Sequence, residues 1–266
     1  MKVRSNEPFW LIKNALPQSY PSLQQHTSAE VLIIGAGITG ALMAFKLLNE
    51  GKKIIIVDRR DVCNGSTAAS TSMLQYEVDV PLHKLIKQVG LTNAVSSFQN
   101  CEKSISELKK IVDEVKSDCG FEERNSVYFT STKKDIEFLK EEFEARKQHG
   151  FKVKWLSKED LNKMGLKAYA AIESKTAAVL DVYVLANDIL KYCSEKGVQI
   201  FDRTDIVEIK NEKEKLRAKT NTGITIEVND VVHCTGYESV ETIKENIVNL
   251  KSTYALASEA YEKVPN

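Results

Sequence analysis

Three glycines and one acid carry the clearest chemistry in this sequence. Gly35, Gly37 and Gly40 stand in the spacing Gly-x-Gly-x-x-Gly, and Asp58 follows Gly40 by eighteen residues. Gly35 allows a tight turn, Gly37 has no side chain to hold a pyrophosphate away from the backbone, and Gly40 lets a helix pack closely on a strand. The N–H groups and positive dipole end of a helix opened by Ile38 would face the phosphates. A carboxylate at Asp58 can accept hydrogen bonds from both hydroxyls of a ribose. Such glycines alone also punctuate ordinary turns. The order strand, glycine turn, helix, strand, acid is what points to a bound dinucleotide.

These residues need a βαβ unit to position them. Val31–Ile34 is an unbroken β-branched and aliphatic run, as in a strand buried on both faces of a parallel sheet. Residues 41–50 place Leu42, Phe45 and Leu47 or Leu48 at helical intervals, and Gly51 stands where the helix stops. Residues 53–57 read as a second buried strand that ends in Asp58.

The composition narrows the class. With 42% hydrophobic residues in 266, the chain can build a large core in one domain or two intimate ones. Lys plus Arg and Asp plus Glu number 37 each, so no basic footprint marks a nucleic-acid partner or an anionic membrane. The longest apolar run, 31–45, is too short for a membrane span, and the N-terminus lacks the apolar core of a signal peptide. Cys63, Cys101, Cys119, Cys193 and Cys234 form no Cys-x-x-Cys pair, which fits free thiols in a reducing cytoplasm. The expectation is a soluble cytoplasmic protein. His26, His83, His149 and His233 show no metal-ligand spacing, and no Ser-His-Asp arrangement is evident. His83 and His149 are expected at the surface, and His233, in an apolar strand, buried with a partner.

Further along, residues 1–29 read as an arm whose Phe9, Trp10 and Tyr20 lie on the main body. Beyond Asp58 comes a small-residue loop, 64–72, whose simplest reading is a solvated turn. Helices are expected over 82–90, 92–119, 133–149 and 183–196, with Ser157 capping another. Strands are expected over 121–130, 152–156, 170–172, 177–180 and 198–201. An antiparallel meander is expected over 204–210, 216–220 and 224–228, then a buried strand over 231–234 and another over 252–257.

A nicotinamide domain usually follows its second strand with more β-α-β units in close succession. Here the strand leads to the Gly-Ser-Thr loop and a long, mostly helical excursion, and the chain returns late through helix, strand, meander and last strand. With Val31 to Gly40, Asp58, Gly65 to Ser72, Leu74 to Glu77, Thr204 to Ile209 and Val231 to Gly236 in this order, the chain from Glu30 onward resembles the FAD-dependent oxidoreductases of the D-amino acid oxidase type, which include glycine oxidase and sarcosine oxidase. The resemblance implies an α/β fold: a Rossmann-like FAD-binding domain with parallel sheet and β-meander, over 30–80 and 176–250, and an incomplete α+β substrate or cap domain over 81–175 and 251–266.

The resemblance also implies roles. Gly35, Ala36, Gly37, Ile38, Thr39 and Gly40 would surround the FAD pyrophosphate. Asp58 would hold the adenosine ribose, where the family more often has the longer Glu, and Arg59 would flank the adenine side. Ser66 and Thr67 match a Ser-rich loop near the pyrophosphate and ribityl chain. The backbone of Ile206 would meet the adenine, and Thr235 and Gly236 match a pair where the backbone passes close to the cofactor. No catalytic residue stands out: Gln75, Tyr76 and Glu77 could approach the flavin, and packing at a helix end is the preferred reading.

The implied activity is oxidation of the C–N bond of an amino acid or related amine by hydride transfer to flavin N5. Alternatives on the same scaffold are a hydroxy-acid or polyol-phosphate dehydrogenase, and a non-catalytic flavin-binding module or subunit. Family members run on past residue 266, so the resemblance implies a chain lacking the C-terminal third, with adenosine and pyrophosphate contacts kept and little turnover.

Overall fold

Strands made of continuous aliphatic runs must be covered on both faces, and this demand organises the chain. The computed structural model describes residues 7–212, 214–243, 245, 249–251, 253 and 254. In order, its elements are α1 (Phe9–Asn14), β1 (Thr27–Ser28), β2 (Val31–Ile34), α2 (Ile38–Asn49), β3 (Ile54–Val57), β4 (Met73–Gln75), α3 (Leu82–Val89), α4 (Leu91–Val115), β5 (Glu122–Thr130), α5 (Ile136–Gln148), β6 (Val153–Ser157), α6 (Lys158–Lys163), β7 (Ala170–Val179), α7 (Val182–Glu195), β8 (Gln199–Phe201), β9 (Ile206–Glu212), β10 (Lys215–Thr220), β11 (Thr225–Val228) and β12 (Asp230–His233). Short 3-10 turns occur at Ser66–Ala69, Lys133–Asp135 and Gly236–Glu241. The expected strand over 252–257 lies largely outside the described residues.

The chain divides into two compact units. One holds the described residues of Met1–Thr71, Glu114–Cys119 and Asp181–Ala257, the other those of Ser72–Asp113 and Gly120–Leu180. In the first, β12, β2, β3 and β8 form a parallel sheet in that order. Register pairs His233 with Ile34 and Ile34 with Val57, so the carboxyl ends of β12, β2 and β3 are flush. Leu32, Ile33, Ile55, Ile56 and Val57 are fully buried, and α2 packs against α7 with Phe45 and Tyr192 in ring contact. The expected meander is present as β9, β10 and β11, and β1 extends it by pairing in parallel with β11. Leu32, Ile55 and Val57 share a core with Ala218, Ile226 and Val228 of that second sheet.

The N-terminal arm does more than lie on the body, although Phe9 stays exposed where it was expected to pack. Leu23 is buried in the shared core, a position worth roughly 1.5–3 kcal/mol for a side chain of its size. The arm's backbone finds partners as well: Tyr20 N–H donates to Asp202, and Leu23 N–H to the Thr204 hydroxyl. Trp10 donates its indole N–H to the Ser70 carbonyl at 2.7 Å.

In the second unit β7 is paired by β5 along one edge and by β4 and β6 along the other. The two short strands expected at 170–172 and 177–180 are one ten-residue strand. Polar residues 173–176 do not interrupt it, because the fully buried Ser174 is satisfied by Tyr76 and Glu77. Tyr76, Phe98 and Phe151 form an aromatic cluster, with Tyr76 and Phe151 stacked at 5.4 Å. Tyr76 is thus a core residue, in line with the packing reading.

A buried charge network joins α3, α5 and the sheet. Glu142 is fully buried and accepts from the N–H groups of Leu82 and His83, from His83 Nδ1 at 2.8 Å and from Arg146 Nε at 2.6 Å. It thereby satisfies first-turn donors of α3. Glu77 Oε1 accepts from Arg146, Ser126 and Ser174. His83 is therefore buried, contrary to expectation, because Glu142 offers a partner inside. His233 is exposed rather than buried, since β12 is an edge strand among the described residues and the histidine closes it. Arg146→Ala leaves Glu142 and Glu77 without their cation, and we expect about 3–5 kcal/mol lost in urea unfolding. Arg146→Lys recovers only part, lacking the planar fork.

Candidate cofactor-binding site

The glycine turn stands on the flush ends of the parallel strands. β2 pairs with β3 on one side and with the late strand β12 on the other, so chain order reverses there; open α/β sheets bind ligands at such points. Gly35 has φ of 106°, and a Cβ there would stand 2.4 Å from the Cys234 carbonyl oxygen. At Gly40 a Cβ would lie 1.9 Å from the Gly35 carbonyl oxygen. The first glycine admits the exit of β12, and the third admits close contact of helix and strand, as its spacing predicts. A Cβ on Gly37 would meet the Thr67 hydroxyl at 2.9 Å.

Ala36 is held at both polar atoms. Its N–H donates to Asp58 Oδ2 at 2.8 Å, and its carbonyl accepts from Cys63 N–H at 3.0 Å and from the Cys63 thiol at 3.4 Å. Asp58 Oδ1 accepts from the Arg60 N–H at 2.9 Å. Each carboxylate oxygen retains a second lone pair for a hydroxyl. Burial raises the Asp58 pKa, although the two backbone N–H groups favour its anion. Burial also pushes the Cys63 thiol well up, with Asp58 nearby adding to the effect. Nothing in the sequence set Cys63 apart from the other thiols; its role comes from the chain folding back over Ala36 with Cys63 at φ 59°.

The loop 64–72 is also built in. Ser66 and Thr67 open a 3-10 turn, Thr67 is buried, and its hydroxyl accepts from the Ile38 N–H at 3.0 Å. The Ile38 N–H, expected to face a phosphate, already has this partner. No side chain caps α2 at Gly37, which leaves its remaining first-turn donors suited to an anion. Thr39 is exposed on the same turn. Gly236 faces the loop, its Cβ position 3.5 Å from Ser66 Oγ. Thr235 Oγ1 is buried and lacks a hydrogen-bond partner among the described residues. Ile206 stands apart from this group: it opens β9 and packs on the core between the two sheets. Arg59 and Arg60 both pair with Glu238, a residue the sequence did not single out.

Comparison with known proteins now fits this geometry. The family model described as FAD dependent oxidoreductase, DAO, matches residues 30–264. The chain belongs to this family. FAD is the cofactor that membership assigns to it. A curated relative, the Bacillus subtilis (strain 168) protein YhfW, named for a Rieske 2Fe-2S iron–sulfur protein, is 28% identical over 204 residues, 77% of this chain and 39% of its own length. OrdL of Haemophilus influenzae, named an oxidoreductase, is 22% identical over 83% of this chain and 52% of its own. The chain thus spans about half, or less, of these relatives.

Among solved structures, L-proline dehydrogenase from P. horikoshii superposes with a TM-score of 0.65 at 18% identity, over 82% of this chain and 55% of that one. Glycine oxidase from Geobacillus kaustophilus gives 0.65 at 18%, over 79% and 55%. L-amino acid deaminase from Proteus vulgaris gives 0.69 at 15%, over 90% and 60%. At these identities the likeness is one of fold.

The chain's own atoms suit an FAD-family site: a turn with no Cβ at three close approaches, an acid with lone pairs left, and a buried hydroxyl at Thr235 in need of a partner. Gly35→Ala must force backbone from backbone, whereas Gly37→Ala meets only the movable Thr67 hydroxyl and breaks its bond to Ile38, at about 1 kcal/mol. Thermal unfolding should therefore rank Gly35→Ala as clearly the more damaging. Four of the five cysteines are buried and Cys101 is half-buried, so an aromatic disulfide reagent should find one fast thiol in the native protein, lost in Cys101→Ser.

Proposed function

We propose that the chain is the FAD-carrying portion of an oxidoreductase that oxidises the C–N bond of an amino acid or related amine. The observation that carries this reading is the glycine turn at the end of β2, where Asp58 pins Ala36, Thr67 accepts from Ile38 and the buried Thr235 hydroxyl lacks a partner among the described residues, at a topological switch point in a chain of this family. In it, Asp58 accepts the hydroxyls of the adenosine ribose while pinning the glycine turn, and Arg59 flanks the adenine side. Gly35, Ala36, Gly37, Ile38, Thr39 and Gly40 surround the pyrophosphate. Ser66 and Thr67 offer short hydroxyls beside it, Thr235 and Gly236 close the β12 side, and the Ile206 backbone meets the adenine. Bound FAD supplies the hydride acceptor at its N5.

The division of labour expected at 30–80 with 176–250 and 81–175 with 251–266 moves to the bounds of the two units, since 176 falls inside β7: the unit of Met1–Thr71, Glu114–Cys119 and Asp181–Ala257 binds the cofactor, and that of Ser72–Asp113 and Gly120–Leu180 belongs to the substrate or cap domain. Support for amine substrates comes from the names of proteins with this fold, glycine oxidase, L-proline dehydrogenase and L-amino acid deaminase. Free cysteines and the lack, among the described residues, of a helix long and apolar enough to cross a membrane are compatible with a cytoplasmic setting.

A second reading is favoured by the identity to YhfW: a flavin module whose electron acceptor is an iron–sulfur centre rather than oxygen. Anaerobic addition of amino acids to the FAD-loaded protein tests both. Bleaching of the visible flavin band by an amine substrate, with 2-hydroxy acids and polyol phosphates inert, is the expected result. Bleaching only by the latter would overturn the amine assignment. Peroxide released on admitting air would argue for oxygen as acceptor and against the iron–sulfur reading.

A further inference from the structure

Glu238 lies in the 3-10 turn that follows β12, and Arg59 and Arg60 follow β3. Because the ends of β12, β2 and β3 are flush, a contact from Glu238 to these arginines crosses over the end of β2, above the glycine turn. That contact is specific. Arg60 grips Glu238 with both terminal nitrogens, Nη2 to Oε1 at 2.6 Å and Nη1 to Oε2 at 3.1 Å, and Arg59 adds a second guanidinium on Oε1. Paired, two-pronged bonds of this kind are the strong ones among side-chain contacts. The Glu238 side chain is 11% exposed, against 34% and 30% for the arginines, so water screens the group only in part. Although burial opposes its charge, the two arginines hold the Glu238 carboxyl below the usual carboxylate range.

We propose that Glu238, Arg59 and Arg60 form a latch across the end of β2, which must open for the adenosine–pyrophosphate half of the cofactor to reach or leave the glycine turn. The inference rests on that turn being the FAD site, as proposed above. Asp58, next to Arg59 in sequence, has its carboxylate turned to the Ala36 and Arg60 N–H groups. The latch joins the segments that follow β12 and β3, one on each side of β2, and on this proposal it recloses over the bound cofactor. It therefore sets the rate of exchange and leaves affinity alone.

Stopped-flow measurement of FAD binding and release, for the wild-type chain and for Glu238→Gln, tests this. Both rate constants should rise by roughly tenfold in the variant, the scale of one lost charge-assisted hydrogen bond, with Kd little changed. Added salt should speed release more in the wild type than in the variant, which lacks the ion pair to screen. A change in Kd with an unchanged association rate would make Glu238 a cofactor contact and overturn the latch, as would unchanged rates. Amide hydrogen exchange on the protein before FAD is added provides the separate arm: residues 58–60 and 235–240 should exchange faster in Glu238→Gln. If the wild type binds no FAD, the cofactor reading fails, and equal amide exchange in the two proteins would still overturn the latch on its own.

Discussion

The arrangement at the sheet's carboxyl edge depends on Ala36 being held at both of its polar atoms. A turn that leaves a buried strand has an N–H and a carbonyl that can no longer pair within the sheet, and a buried polar group without a partner costs about 1–3 kcal/mol. Asp58 takes the N–H and Cys63 the carbonyl. These two bonds fix the turn in the one conformation where Gly35 can face the exit of β12 and Gly40 can face Gly35. The acid at the end of β3 is therefore first a structural device.

This explains what could be read from the residues and what could not. The βαβ unit, the meander and the late return strand follow from hydrophobic period and glycine position, which are local signals, and the observed strands agree, except that β12, expected to be buried, is a half-buried edge among the described residues. The steric need for glycine at 35 and 40 was legible from the spacing, whereas the bond from Ala36 to Asp58 was not, because the sequence pointed that acid only at a ribose. Cys63 and Glu238 were not legible, because their importance comes from contacts across 27 and 178 residues that no periodicity encodes. His83 and His233 exchanged places with expectation for the same reason. An apolar neighbourhood in sequence says little about burial when the strand lies at a sheet edge, and a polar helix start can be buried when a carboxylate such as Glu142 awaits it. The polar middle of β7 likewise looked like a break until Ser174 met Tyr76 and Glu77.

The second unit solves a different problem. Its sheet packs helices through aromatic rings and through charge, with Arg146 shared between two carboxylates. Buried ion pairs are weak evidence for stability but fix which helix sits where. Here Glu142 ties the start of α3 to α5, and Glu77 ties α5 to β5 and β7. The segment after β4 is thereby held by the sheet and a helix at once.

Family membership, the switch point and the pinned turn support the proposal that this turn holds the adenosine and pyrophosphate part of FAD. Competition between cofactor fragments tests that claim most directly. ADP should displace FAD from the protein, while FMN, which lacks the adenosine half, should not. Displacement by FMN with ADP inert would contradict it.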